Sequence, residues 1–451
     1  MARAVTMGAM RSLLLPTAVS LAVLTGCATP PAPPPAPVPL PSTLPPVAAA
    51  PVPAPVPAPP PAPQAPAASG LAATLAGFHA WVQAFAQEAL AAGIRPQTLE
   101  ATLGHAQWQP RVVELDRAQP EFTRPPWAYL DSAVSPQRVA QGREQLRAHA
   151  AALDAAAKQH GVPASVITAI WGMESNYGRN FGSFRTVDAL ATLAYDGRRR
   201  DWARGELLAA LRIVDQGDIA ADAMIGSWAG AMGHTQFLPS VFLAHAVDAD
   251  GDGRRDIWGS VPDVAASTAN FLRHSGWQTG EHGGEPWGVE VLLPPGFDYA
   301  RAELTVRQDG AAWAAEGVRG VDGGPLPALQ GASVLTPAGA RGPAVLVGPN
   351  FRALLRYNNS VNYALAVGLL ARQIDGGAGL QTPWPRDLQP LSRGEVQALQ
   401  ELLNARGMDT GTPDGVAGPA TRAGVRRYQQ SLGLPADGYA TRELLQRLQT
   451  P

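Results

Sequence analysis

The chain has 451 residues, 46% hydrophobic and 16% charged, with a formal net charge of −2. That length suggests about two or three folded units, and charges this sparse and balanced give no electrostatic footprint for nucleic acid. One cysteine, Cys27, excludes a disulfide framework, a Cys-based zinc site and a Cys/His pair in the folded part, so any chemistry rests on other side chains.

Arg3 and Arg11 precede an apolar run from Leu13 to Leu24, the order of a secretory signal and too short for a permanent membrane span. The run ends in Leu24-Thr25-Gly26-Cys27, which resembles the bacterial lipoprotein box. The resemblance implies a signal peptide over 1–27 and lipidation of Cys27. With Ala28 rather than Asp following, it implies an outer-membrane lipoprotein facing the periplasm of a Gram-negative envelope. An ordinary signal with a chance cysteine fits the same residues. Nineteen of the 44 prolines then fall between Pro30 and Pro66 without one charged residue, so 28–70 reads as a disordered, Pro-rich linker. As polyproline II, at ~3.1 Å per residue, it reaches on the order of 130 Å.

From Leu71 to about Gly161 the period is helical, as in Phe78, Trp81, Val82 and Phe85. Pro163 can open the next helix, and Val166, Ile170 and Glu174 then lie four apart on one face, with Glu174 as that face's only acid. Asn176-Tyr177-Gly178 marks the stop and places Glu174 in the last turn beside Trp171 and Met173. There both the helix dipole and desolvation raise a carboxyl pKa, and a carboxyl protonated near neutrality suits a general acid. A cap, or an ion pair with Arg179 or Arg185, is the alternative reading of the same residue. Further on, Ser227-Trp-Ala-Gly-Ala-Met-Gly-His234-Thr-Gln236-Phe237 joins small residues, aromatics and uncharged hydrogen-bonding groups, suited to a cleft wall or to tight helix packing. His234 reads as a wall residue rather than a metal ligand, because no two histidines lie within four residues of each other.

Four ordered blocks carry a resemblance to a known family: Trp171-Gly-Met-Glu174-Ser-Asn-Tyr-Gly-Arg179-Asn, Thr186-Val-Asp-Ala-Leu-Ala-Thr-Leu193, Ser227 to Gly233 with Gln236-Phe-Leu-Pro-Ser240, and Arg356-Tyr357-Asn358. Together they resemble the lytic murein transglycosylase B family over roughly Leu71 to Ile374. The resemblance implies a mainly α fold, with a lysozyme-like catalytic domain over 71–380. It also implies that Glu174 is the single catalytic acid/base and Ser227 the residue that orients it. Gln236, Tyr357, Asn358 and Tyr363 fall on its glycan-contacting or supporting positions. Phe271 stands where the family often has Tyr, and His234 replaces a usual Tyr. The implied activity is cleavage of the MurNAc–GlcNAc β-1,4 bond of peptidoglycan into 1,6-anhydro ends, with no cofactor for the chemistry. Physically, a hydrolytic glycosidase needs two carboxyls flanking the bond. Asp188, Asp196, Asp201 and Glu206 lie nearby in sequence but in no comparable motif. An intramolecular 6-hydroxyl makes a second acid unnecessary, since effective molarities reach ~10⁵ M or more.

Asp248-Ala-Asp250-Gly-Asp252-Gly253 places oxygens and a glycine as an EF-hand loop does, with Asp256 at position 9 but Gly259 at position 12. Asp263 is then the candidate last ligand in a loop over 248–263. Structural Ca²⁺ is one expectation and a metal-free Asx/Gly turn the other. Between about 285 and 348 the helical period gives way to short runs such as Val289–Leu293 and Ala344–Val347, read as a small β-rich insertion.

After Pro385, Ser392-Arg-Gly-Glu395 is a capping box leading into Val396, Leu399, Leu402 and Leu403, with Gly407 as the stop. Asp414-Gly415 with Thr421-Arg422, and Asp437-Gly438 with Thr441-Arg442, form a weak internal repeat. The pattern resembles a three-helix peptidoglycan-binding domain, placed at 388–451. The expected partners are therefore peptidoglycan strands and, through a lipid anchor, the outer membrane; no oligomer is implied. A peptidoglycan amidase or peptidase would need a zinc cluster or a Cys nucleophile. A non-catalytic wall-binding lipoprotein would not need the Glu174 block.

Overall fold

The computed structural model describes residues 70–118, 124–279 and 286–450; the signal segment, Cys27 and nearly all of the proline-rich stretch lie outside them. Among the described residues six helices come first: α1 (Gly70–Ala91), α2 (Pro96–Thr102), α3 (Pro110–Arg117), α4 (Pro126–Ala133), α5 (Pro136–Ala148) and α6 (Ala150–His160). Four of them start on proline, whose fixed φ suits a first helical turn and whose missing N–H has no partner to lose there. Next is α7 (Ala164–Ser175), with Pro163 at its N-cap rather than inside its first turn. Nine of its twelve residues are buried, which makes it a core helix packed by α5, α6, α11 (Val261–His274) and α14 (Val361–Ile374).

Between α7 and α11 run α8 (Thr186–Asp196), α9 (Arg200–Gln216) and α10 (Pro239–His245). A two-residue antiparallel pair, β1 (Phe184–Arg185) with β2 (Ile225–Gly226), ties the loop after α7 to the Ser227 segment. Two apolar cores result. One gathers Val166, Ile167 and Ile170 of α7 with Leu365 and Leu370 of α14; the other joins Phe78 and Phe85 of α1 to Leu190, Leu207 and Phe242. Phe271 of α11 and Tyr357 pack against both, so the seam between the cores is aromatic. Among the described residues no helix is long and apolar enough to cross a membrane.

The insertion contains β3 (Gly288–Leu292), α12 (Gly310–Ala315), β4 (Arg319–Gly320), β5 (Ser333–Leu335) and β6 (Ala344–Val347). The strands form one antiparallel sheet in the order β4-β3-β6-β5, with Val289 opposite Leu346. All four residues of β6 are buried. Val345 and Val347 face the helical core, while Ala344 and Leu346 face a satellite core around Trp313. A strand covered on both sides reads as an unbroken apolar run instead of an alternation. From this sheet the chain enters α13 (Pro349–Tyr357) and then α14.

The last three helices are α15 (Arg393–Ala405), α16 (Pro419–Ser431) and α17 (Arg442–Gln449), around a small core that includes Leu399, Leu403, Val425 and Leu448. Both bonds of the Ser392/Glu395 capping box are present. The sequence repeat has a physical basis. Gln400 Oε1 accepts from Asp414 and Gly415 N–H while its Nε2 donates to Asp414 Oδ1. In the second copy Gln429 Oε1 accepts from Gly438 N–H and its Nε2 donates to Asp437 Oδ1. Each Asp-Gly turn is clasped by a buried glutamine from the preceding helix. Arg422 and Arg426 of this module pair with Glu303 of the insertion.

Candidate active site

Glu174 sits in the last turn of α7, which ends because Asn176 and Tyr177 turn left-handed, with φ of 50° and 59°. Gly178 follows at φ 78°, and a Cβ there would lie 2.3 Å from the His234 ring; only glycine allows that approach. The His234 ring stacks at 16° on Trp171, and its backbone N–H donates to Ile257 O at 2.8 Å. It is a wall residue that fixes the turn after Glu174.

Among the described residues one side chain reaches the Glu174 carboxyl: Tyr363 of α14 donates its hydroxyl to Oε1 at 2.5 Å. Desolvation pushes the Glu174 pKa up to about 7, against the downward pull of that single bond. No other charged group among the described residues contributes to the shift. Asp188 accepts from Gln107 N–H, Asp196 pairs with Arg117, and Glu206 is held by Ser240. Those nearby acids are committed elsewhere.

Tyr363 stacks at 16° on Tyr357, whose hydroxyl donates to Thr235 O at 2.7 Å. Phe271 meets Tyr357 edge-on, with centroids 4.9 Å apart. Phe271 thus keeps the packing of a cleft aromatic without a hydroxyl. Burial, with Glu174 as the next contribution, holds both tyrosines well above the usual phenol range, so they remain neutral donors. Tyr129 of α4 is raised by the same two causes. It joins the electrostatic surroundings of Glu174, and nothing in its local sequence signals this.

Other residues singled out by the sequence take different places. Ser227 Oγ accepts from Ala229 and Ala231 N–H at 3.3 and 3.1 Å. It builds its own turn, and in this geometry Tyr363 rather than Ser227 holds Glu174. Gln236, at φ 50°, donates Nε2 to Phe181 O and Gly233 O, both at 3.0 Å, knitting the loop after α7 to the wall segment. Asn358 is exposed just beyond α13.

In the acidic loop, Asp248, Asp250 and Asp252 are exposed and bring one oxygen each within 4.8 Å of one another. Asp256 instead accepts from Trp258 and Gly259 N–H. Asp263 is fully buried and accepts from Ala249 and Asp256 N–H, both at 2.7 Å. Three hard oxygen donors at loop positions 1, 3 and 5 fit a cation such as Ca²⁺; the other two acids shape the loop around them. Among the described residues this is the one His/Cys/Asp/Glu group close enough to hold a metal.

Residues 77–372 match the model of the transglycosylase SLT domain. The chain belongs to that family. The transglycosylase also carries, at 392–448, a match to a putative peptidoglycan-binding domain. It is 33% identical over 308 residues to the membrane-bound lytic murein transglycosylase B of Escherichia coli K12, covering 62% of this chain and 79% of the relative. A crystal structure of SltB3 from Pseudomonas aeruginosa, in complex with NAG-anhNAM-pentapeptide, is 54% identical. It covers 83% of this chain and 99% of its own, with a TM-score of 0.79. The Escherichia coli lytic transglycosylase Slt35 in complex with calcium is 29% identical, covering 68% and 95%, with a TM-score of 0.57. The fold is the lysozyme-like one of these enzymes, and the chain is a peptidoglycan lytic transglycosylase.

Proposed function

We propose that this lytic murein transglycosylase cleaves the MurNAc–GlcNAc β-1,4 bond with Glu174 as both acid and base. The supporting observation is a lone carboxyl raised to about 7 with one hydrogen bond, from Tyr363. Protonated Glu174 gives its proton to the bridging oxygen as the glycosidic bond breaks. The muramic 6-hydroxyl then bonds to its own anomeric carbon and returns a proton to Glu174, leaving a 1,6-anhydro end and a new 4-hydroxyl. No water is consumed, which suits a site where, among the described residues, no second carboxyl contributes to the Glu174 shift. The neutral hydroxyls of Tyr363 and Tyr357, with Gln236 and Asn358, belong to the glycan-contacting wall in this reading. In SltB3 the bound ligand itself carries an anhydro sugar.

The reading extends to the ends of the chain: Cys27 carries a lipid anchor in the outer membrane, and the C-terminal module holds peptidoglycan. Asp248, Asp250 and Asp252 hold a structural Ca²⁺ that takes no part in the proton transfers. The deciding experiment is mass analysis of products released from purified sacculi. Anhydro-muropeptides one water lighter than hydrolysis products support the reading, and reducing ends contradict it. Incorporation of labelled lipid that is lost in Cys27→Ala tests the anchor.

A further inference from the structure

Arg352 of α13 is half-buried, and among the described residues no carboxylate pairs with it. Its Nη2 donates to Ser333 Oγ at 2.7 Å, while Nε is sealed from solvent with no partner. Among the described residues Nη1 makes no hydrogen bond, and it is not among the atoms sealed from solvent. The charge acting on it is another cation, Arg307, which together with burial lowers its pKa. Arg255, by contrast, rests on Asp218 and Arg426 on Glu303. A partly desolvated guanidinium facing a like charge is an unfavourable arrangement unless an anion arrives from outside.

The position gives this meaning. Ser333 Oγ in turn donates to Val306 O at 2.7 Å, with Leu304 O at 3.3 Å, which anchors the loop carrying exposed Arg307. One turn along α13, Arg356 follows Arg352 at i+4, and the next residue is Tyr357 of the cleft wall. Among the described residues Arg307, Arg352 and Arg356 have no acid partner, and α13, which carries two of them, ends at Tyr357, in a protein of net charge −2.

We propose that Arg352 and Arg307 form a carboxylate-binding site for the peptide stems that muramic acid bears in the substrate. Guanidinium groups suit this ligand because their planar donors match carboxylate oxygens. The inference rests on the glycan-cleaving reading above and adds which substrates the enzyme prefers: strands that still carry their peptides.

The test compares two glycan strands of equal length, one with peptide stems and one stripped by an amidase. In the Arg307→Gln/Arg352→Gln double variant, kcat/KM on the peptide-bearing strand falls ~10-fold through KM and stays within about two-fold on the bare strand. Arg352→Lys recovers part of the loss, and rising ionic strength erodes the wild-type preference. Arg307 is exposed, so Arg307→Gln alone reports on the site if the double variant folds poorly; a several-fold KM rise confined to peptide-bearing strands is expected. Equal losses on both strands, or no loss on either, overturn the proposal. Continued release of anhydro ends from bare strands shows that the transglycosylase reading stands in either case.

Discussion

Two glutamates in this protein, Glu290 buried and Glu174 half-buried, are treated in opposite ways. Glu290, 4% exposed on β3, accepts backbone N–H groups from Gln381 and Thr382, both at 2.7 Å. Both of its oxygens are hydrogen-bonded, which pins the segment after α14 to the insertion sheet. Glu174 receives one tyrosine hydroxyl and is pushed up to about 7. A buried acid that is fully satisfied is structural; one left short of donors keeps its proton and can give it away.

That contrast is broken most severely by Glu174→Gln. Without a transferable proton, anhydro-muropeptide release falls at least ~10³-fold, about 4 kcal/mol, while sedimentation with sacculi persists. A variant that binds and still releases product removes Glu174 from the mechanism. Glu290→Ala does the reverse. It strands two N–H groups and costs about 2–4 kcal/mol of stability, visible as a lower Tm. Its turnover of bare glycan strands, per folded molecule, is unchanged.

The pH dependence sharpens the same comparison. Glu174 binds its proton more tightly folded than unfolded, so its stabilising contribution is complete below its ordinary value of 4.5 and is lost as pH rises through about 7. Glu174→Gln, neutral at every pH, therefore gains up to about 3 kcal/mol over the wild type at alkaline pH and nothing in acid. Paired denaturation curves at the two extremes measure this. A smaller effect comes from Tyr363→Phe. The lost bond was lowering the Glu174 pKa, so the alkaline limb of the rate profile moves upward, and poorer positioning cuts the peak rate by ~10-fold.

Much of the site was legible because it is local. The Val166, Ile170, Glu174 spacing and the Asn176-Tyr177-Gly178 stop lie within one helix and its end, where periodicity and left-handed conformers are sequence properties. The capping box at Ser392 and the runs that became β3 and β6 were readable for the same reason. What stayed hidden is long-range. Tyr363 is 189 positions from the carboxyl it holds, Tyr129 lies on a helix with no motif, and the Ser333–Arg352 contact joins a strand to a helix. Ser227 accepts from Ala229 and Ala231 N–H in its own turn, and the hydrogen bond to Glu174 comes from Tyr363 of α14.

The most direct test of the account is a carbon-13 NMR titration of the glutamate carboxyls in the full-length protein, with the Glu174 signal assigned by its loss in Glu174→Gln. A midpoint near 7, moving upward in Tyr363→Phe, is the predicted result. A midpoint below about 5, the range of an ordinary solvated glutamate, contradicts the claim that burial keeps this acid protonated for catalysis.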